Sequence, residues 1–419
     1  VTVPAPIRIE DLGAPVLDDL QRGAIEYARS KPVSLDVPAL LDAARARTGL
    51  DDFGADDFRP RLAAMVDAIR ADAGLNPLGR MIVRDRLVRL LAQRQLLTDL
   101  LRRHPEIRDV ALEPPIVVVG LPRSGTTHLV NLIAADSRLR SLPYWESLEP
   151  FPAPGDGPGR DGLDERYVRC VRSYEAQMGI APLVRAMHHQ HPGAIEEEIE
   201  LEDLDFASYT LEWLARVPGW RDHYLGLDQR PHYEYLRVVL QALTWFRGPR
   251  RWVLKSPQHL EQLGPLVDTF PDATFAVTHR DPVSVIQSAA TMLAYGDRVR
   301  RDAIEPESLA GYWVDRVERL LRACVRDRAL LPADRSVDVV FHELMADDLG
   351  TVARIHELAG FELTPRAHRE LDAFVAANPR GKHGQVVYDL QGDFGLDPAA
   401  VRSRFAFYFD RFPSVRPEV

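Results

Sequence analysis

The residues best suited to chemistry begin at Gly120-Leu121-Pro122-Arg123-Ser124-Gly125-Thr126-Thr127. This string follows Ile116-Val117-Val118-Val119, a wholly apolar run, and leads into a helical pattern from His128 to Ala135. A buried strand, a short glycine-rich loop and a helix start together aim backbone N–H groups at a phosphate-like anion. The nucleotide-hydrolase form of such a loop carries lysine directly after its second glycine. Here Thr126 stands in that place and the cation comes earlier, at Arg123. That departure counts against an ordinary ATPase or GTPase. An ATP-dependent small-molecule kinase and a non-catalytic nucleotide-binding protein are the alternative readings.

A second anion pattern lies downstream, in Phe275-Ala276-Val277-Thr278-His279-Arg280-Asp281-Pro282. It reads as a strand ending on a cation, where α/β sheets bind their ligands. Asp281 and Pro282 then serve as N-cap and first position of a helix. Ser288 follows Arg280 by eight residues, so the two can converge on one anion. A third loop, around Arg380-Gly381-Lys382, places two cations among glycines. The chain has 52 lysines and arginines, of which only Lys31, Lys255 and Lys382 are lysine. An ammonium group is a compact point charge that a guanidinium does not replace, so Lys255, at the end of the run Trp252-Val253-Leu254, stands out.

Taken together, the Gly125 loop and the Arg280/Ser288 pattern resemble the nucleotide motifs of sulfotransferases that use 3′-phosphoadenosine-5′-phosphosulfate (PAPS). The version with arginine at position 123 is similar to the bacterial and tyrosylprotein branches. The resemblance implies that the loop Arg123, Ser124, Gly125, Thr126 and Thr127 holds the 5′-phosphosulfate, with Arg123 along the transferred group. It also implies that Arg280 and Ser288 hold the 3′-phosphate, and that Arg380, Gly381 and Lys382 cover the nucleotide. Because ATP lacks that 3′-phosphate, the second motif argues against the kinase.

Sulfuryl transfer to a hydroxyl or amine needs an in-line acceptor, a base, and cations on the leaving phosphate. Lys255 resembles the catalytic lysine of the tyrosylprotein branch. Glu146 lies 23 residues after Arg123, a distance that suits loop, helix and a short returning strand. It is similar to the base glutamate of tyrosylprotein and some bacterial members, and it is the first candidate. His259 resembles the histidine of the cytosolic branch in a shifted register. Glu196, Glu197 and Glu198 form a third candidate run. PAP is the expected product. No metal is required by this chemistry, and His188-His189-x-His191 reads as an exposed or pocket-lining loop. Tyr209, Trp213, Trp220, Tyr224 and Tyr233 suit either an apolar or aromatic-lined pocket for a small-molecule, lipid or glycan acceptor or the core of the insertion's helices.

These groups need a scaffold. Strand patterns recur at Val253, Phe275 and Val337, each followed by a helical pattern. The fold class is therefore α/β, a P-loop-type, mostly parallel sheet flanked by helices. Residues 1–110 read as a helical N-terminal region that acts as a cap or packing layer. Residues 111–415 read as the α/β domain, with a helical insertion at about 160–250. Within that insertion, 196–215 reads as one helix. The net charge of −10 argues against a nucleic-acid partner. Two cysteines cannot build a disulfide framework. No apolar run reaches the roughly 18 residues of a spanning helix, and residues 1–6 lack a signal pattern, so a cytoplasmic protein is expected.

Overall fold

The structure is a computed structural model that describes residues 6–157, 162–188, 190–379, 382 and 384–418. The run at 116 forms β1 (Ile116–Gly120), buried at every position. Such a run, without polar alternation, suits a strand covered on both faces. Four further strands join it: β2 (Leu139–Arg140), β3 (Arg251–Ser256), β4 (Thr274–His279) and β5 (Ser336–Val340). Their order is β2-β3-β1-β4-β5, and every pairing is parallel. Val118 lies opposite Lys255 and Gly120 opposite Thr278. The glycine loop, Lys255 and Arg280 therefore leave the sheet at one carboxyl edge.

Period-two alternation divides β1 between two layers. Val117 and Val119 share a buried cluster with the N-terminal helices, the insertion and the helix that carries Trp313. Ile116 and Val118 pack instead against Leu129 and Ile133, which belong to the helix after the glycine loop. Burying one such side chain contributes about 1.5–3 kcal/mol, so the central strand is a strong anchor for the loop at its end.

The N-terminal region forms α1 (Asp19–Ser30), α2 (Val37–Thr48), α3 (Phe58–Ala71) and α4 (Pro77–Arg103). Asn76 caps α4 by accepting from the Gly79 amide, with Pro77 in the first turn. At the other end the helix stops at His104, before Pro105. Next come α5 (Thr126–Ala134) and α6 (Tyr144–Leu148). The insertion contains α7 (Glu165–Ile180), α8 (Val184–Met187), α9 (Ile199–Glu202), α10 (Pro218–Leu225) and α11 (Arg230–Arg247).

The expected single helix over 196–215 is broken. α9 ends in a 3₁₀ turn over Asp203–Asp205, and Phe206 takes a left-handed backbone with φ 53°. Asp203 turns inward to Arg86, and Asp205 to Arg61 and Arg94. Pairing buried carboxylates with buried guanidinium groups overrides local helix propensity. After β3 come α12 (Leu263–Thr269), α13 (Pro282–Arg300) and α14 (Pro306–Asp327). No helix among the described residues is long and apolar enough to cross a membrane.

Candidate active site

Tight local geometry shapes the glycine loop. A side chain at Gly120 would collide with Thr278 Oγ1, so only glycine allows β4 to approach there. Thr278 Oγ1 lies 2.8 Å from Ser124 Oγ, which donates to the Leu121 carbonyl at 2.6 Å. Ser124 thus braces the loop from inside. Arg123 and Gly125 both have left-handed backbones, with φ 67° and 89°. Gly125 is the N-cap of α5, and no side chain caps that helix. Its first-turn amides therefore keep their capacity for an anion.

The downstream pattern reaches the same place. Ser288 accepts from Arg123 Nε at 3.0 Å, and Arg280 Nη1 donates to the Arg123 carbonyl at 2.7 Å. The remaining guanidinium edge of Arg280 holds the Glu418 carboxylate at 2.7–3.1 Å. The Glu418 amide donates to Asp281 at 2.9 Å. An acidic side chain from the end of the described chain thus sits on the cation assigned to a phosphate.

Lys255 is buried at the tip of β3. Its ammonium donates to Thr127 Oγ1 at 3.4 Å and forms a short ion pair with Glu197. Glu196, Glu197, Arg123, Thr126 and Thr127 all line one cavity of about 780 Å³. Burial raises the carboxyl pKa of Glu197, and the Lys255 charge partly offsets the rise. Glu196 is raised for the same reason and accepts from Gln190 at 2.9 Å. His188 lines this cavity too. Burial, then the charges of Lys255 and Arg123, push its pKa down to about 4, so it is neutral near pH 7.

Glu146 is not brought to this cavity. Tyr144 and Trp145 line it, but each helical residue turns about 100° from the last. Glu146 consequently faces a separate cavity of about 470 Å³, between Arg140 at 3.4 Å and Arg247 at 2.7 Å. His259 is wholly buried in the turn after β3. Its ring nitrogens meet Glu198 and Tyr233, each at 2.7 Å, and it does not border the cavity. Of the three base candidates, only the run at 196–198 supplies a carboxylate facing both Lys255 and open space.

A model of the Sulfotransferase family matches residues 114–365, which span the glycine loop, the insertion, Lys255 and Arg280. This chain belongs to the sulfotransferase family. It is 26% identical over 267 residues to the omega-hydroxy-beta-dihydromenaquinone-9 sulfotransferase Stf3 of Mycobacterium bovis, covering 60% of this chain and 64% of that one. The match to the Mycobacterium tuberculosis protein of that name is the same. The aligned part thus spans less than two thirds of the length of these relatives. The crystal structure of sulfotransferase STF1 from Mycobacterium tuberculosis superposes with a TM-score of 0.77 at 30% identity, over 89% of this chain and 98% of that one. Sulfotransferase STF9 from Mycobacterium avium has the same fold, with a TM-score of 0.80 at 23% identity over 92% and 98%.

In this family member the large cavity is lined beyond the loop by apolar side chains together with charged ones such as Arg86, Arg89 and Arg169. Leu78 and Ile82 come from α4, Ile180 from α7, Val184 from α8, and Met292 and Leu293 from α13. The N-terminal region therefore does more than pack: α4 forms one wall. Of the five aromatic residues expected there, Trp213 lines the cavity. Tyr209, Trp220, Tyr224 and Tyr233 are buried in the core instead. Lys382 donates to the Ala377 carbonyl at 3.0 Å, while Arg380 and Gly381 fall outside the described residues. Sequence reasoning missed the α4 wall and Glu418. The one signal for the wall is that Leu78 and Ile82 recur at helical spacing. Glu418 carried none.

Proposed function

We propose that this sulfotransferase moves the sulfuryl group of PAPS to the terminal hydroxyl of a largely apolar acceptor and releases PAP. The observation that carries this reading is the contact of Lys255 with both Thr127 and Glu197, which line a cavity whose lining also includes apolar side chains from α4, α7, α8 and α13. The residues present fit the donor. The first turn of α5 has no side-chain cap, and Arg280 already donates to a carboxylate beside Arg123 and Ser288. Arg123, Thr126 and Thr127 would hold the 5′-phosphosulfate, while Arg280 and Ser288 would hold the 3′-phosphate.

Glu197 takes the proton of the acceptor hydroxyl as its oxygen bonds to sulfur and the bond from sulfur to the 5′-phosphate oxygen breaks. Lys255 supplies positive charge to the leaving phosphate. The elevated pKa of Glu197 brings its basicity closer to neutral pH, where a general base works best. The apolar side chains of the lining support a lipid-like alcohol, as does the hydroxylated quinone in the name of the Stf3 relatives. An amine or a glycan hydroxyl is the less favoured acceptor.

The test incubates the protein with sulfur-labelled PAPS and a panel of long-chain alcohols, hydroxylated prenyl quinones, amines and sugars, with and without chelator. Label should enter apolar alcohols in both conditions, because Lys255, Arg123 and the α5 terminus provide the charge. Glu197→Gln should slow turnover about 10²–10⁴-fold, with PAP affinity unchanged. Absence of sulfate transfer, together with phosphate transfer from labelled ATP, would overturn the reading in favour of a kinase.

A further inference from the structure

The Lys255–Glu197 pair joins segments far apart in the chain, the tip of β3 and the entry to α9. β2 is too short to hold that tip, since it pairs with β3 only at Arg251 and Trp252. The amide of Lys255 lies beyond its end. The neighbouring glutamate takes the place of the missing strand. Glu198 Oε2 accepts from the Lys255 backbone N–H at 2.6 Å, and Glu198 Oε1 lies 2.7 Å from His259 Nε2. His259 Nδ1 lies 2.7 Å from the Tyr233 hydroxyl. All three side chains are at most 1% exposed.

Donor counting assigns the protons. An ionised carboxylate only accepts, so Nε2 carries hydrogen and donates to Glu198. Nδ1 then accepts from the Tyr233 O–H. Every nitrogen and hydroxyl of the chain Tyr233–His259–Glu198 is satisfied with a neutral ring. Glu202 is the remaining acidic group against the imidazole, with Oε1 3.8 Å from Nδ1. Burial and the Glu198 charge push its carboxyl pKa well above the ordinary range.

We propose that His259 and Glu198 are positioning residues for sulfuryl transfer: they clamp the tip of β3 to the entry of α9, so that Glu197 stays on the Lys255 ammonium at the cavity wall. This inference rests on the proposed roles of Glu197 and Lys255. Without a donor at 259, one oxygen of Glu198 is buried and unpaired, a state that is costly to maintain. Glu198 would then release the Lys255 amide, and Glu197 would drift from the ammonium that favours its charged form. The titratable groups that interact with Glu197 are Lys255, Glu196, His188, Glu202 and Tyr209, and none of them changes in the variants below.

The experiment compares His259→Leu, which removes the donor, with His259→Gln, which keeps an N–H near the position of Nε2. In steady-state kinetics with PAPS and an apolar alcohol, His259→Leu should lower kcat about 10- to 100-fold, the effect of a small misplacement of reacting groups. Both KM values should stay within about twofold, since the anion loops are untouched. The acidic limb of kcat should move to higher pH, because a Glu197 that has lost Lys255 is protonated more easily. His259→Gln should recover most of kcat and return the limb. If His259→Leu does not fold, Tyr233→Phe keeps the ring and removes only the far hydroxyl, and it should give a smaller loss with the same direction of shift. Normal kcat and an unmoved limb in a folded variant would overturn the inference. So would equal losses in the Leu and Gln variants that merely track melting temperature. Glu197→Gln, run alongside, separates the two levels. If it turns over normally, the assignment of the base fails. If it is inactive while His259→Leu is normal, only the positioning role fails.

Discussion

Replacing Glu418 by glutamine should tighten the binding of PAP. Arg280 spends one edge of its guanidinium on the Arg123 carbonyl and the other on Glu418, with contacts of 2.7, 2.9 and 3.1 Å. A 3′-phosphate bound by Arg280 and Ser288 would need that second edge, so Glu418 must leave before it binds. The side chains of Arg280 and Glu418 are 22% and 29% exposed. At that exposure solvent screens the pair, and even a well-aligned carboxylate–arginine contact contributes about 1 kcal/mol. Removing the carboxylate charge returns that amount to the ligand, a gain of about fivefold in affinity. Isothermal titration of PAP into Glu418→Gln and the unaltered protein measures it. Adenosine 5′-phosphosulfate is the control, because it has no 3′-phosphate and its affinity should stay within about twofold. Unchanged or weaker PAP binding would refute the competition between Glu418 and the phosphate. Equal tightening for both ligands would place the effect of Glu418 away from the 3′ position.

In the same calorimeter, Arg280→Ala should weaken PAP by about 1.5–3 kcal/mol, the usual contribution of a charged hydrogen bond, and adenosine 5′-phosphosulfate by much less. The pH profile of kcat should show an acidic limb above the ordinary glutamate value of 4.5, because burial raises the Glu197 carboxyl and activity needs it ionised; a limb at or below that value would contradict the assignment. Glu202 is buried, neither of its oxygens has a hydrogen-bond partner among the described residues, and its pKa is raised well above the ordinary range. A raised carboxyl favours the folded state below its unfolded pKa, and that contribution is lost as pH rises towards the folded pKa. Glu202→Gln should therefore raise the melting temperature by an increment that grows from pH 5 to pH 8, as read by thermal unfolding at each pH.

Local order along the chain determined the parts of this site that are built from neighbouring residues. A β-branched run, two glycines and an uncapped helix start are contiguous, so the strand–loop–helix geometry was legible without any tertiary contact. The same holds for Arg280 and Ser288, since a strand end and two turns of one helix carry both. The α/β class followed from strands alternating with helices. The sequence did not reveal which carboxylate faces Lys255. Glu146 and Glu197 both lie at plausible distances along the chain, and three consecutive glutamates differ only in direction. That choice was made by the docking of the insertion on β3, across the 57 residues that separate Glu198 from the Lys255 amide it accepts. The break in the helix over 196–215 has the same origin, because Arg86, Arg61 and Arg94 come from α3 and α4 to meet Asp203 and Asp205. The cavity wall from α4 and the seat of Glu418 on Arg280 are likewise contacts between distant segments. Backbone patterns repeat over a few residues and can be read in order. The facing of a side chain depends on which remote surface its segment buries, and only the packed structure decides that.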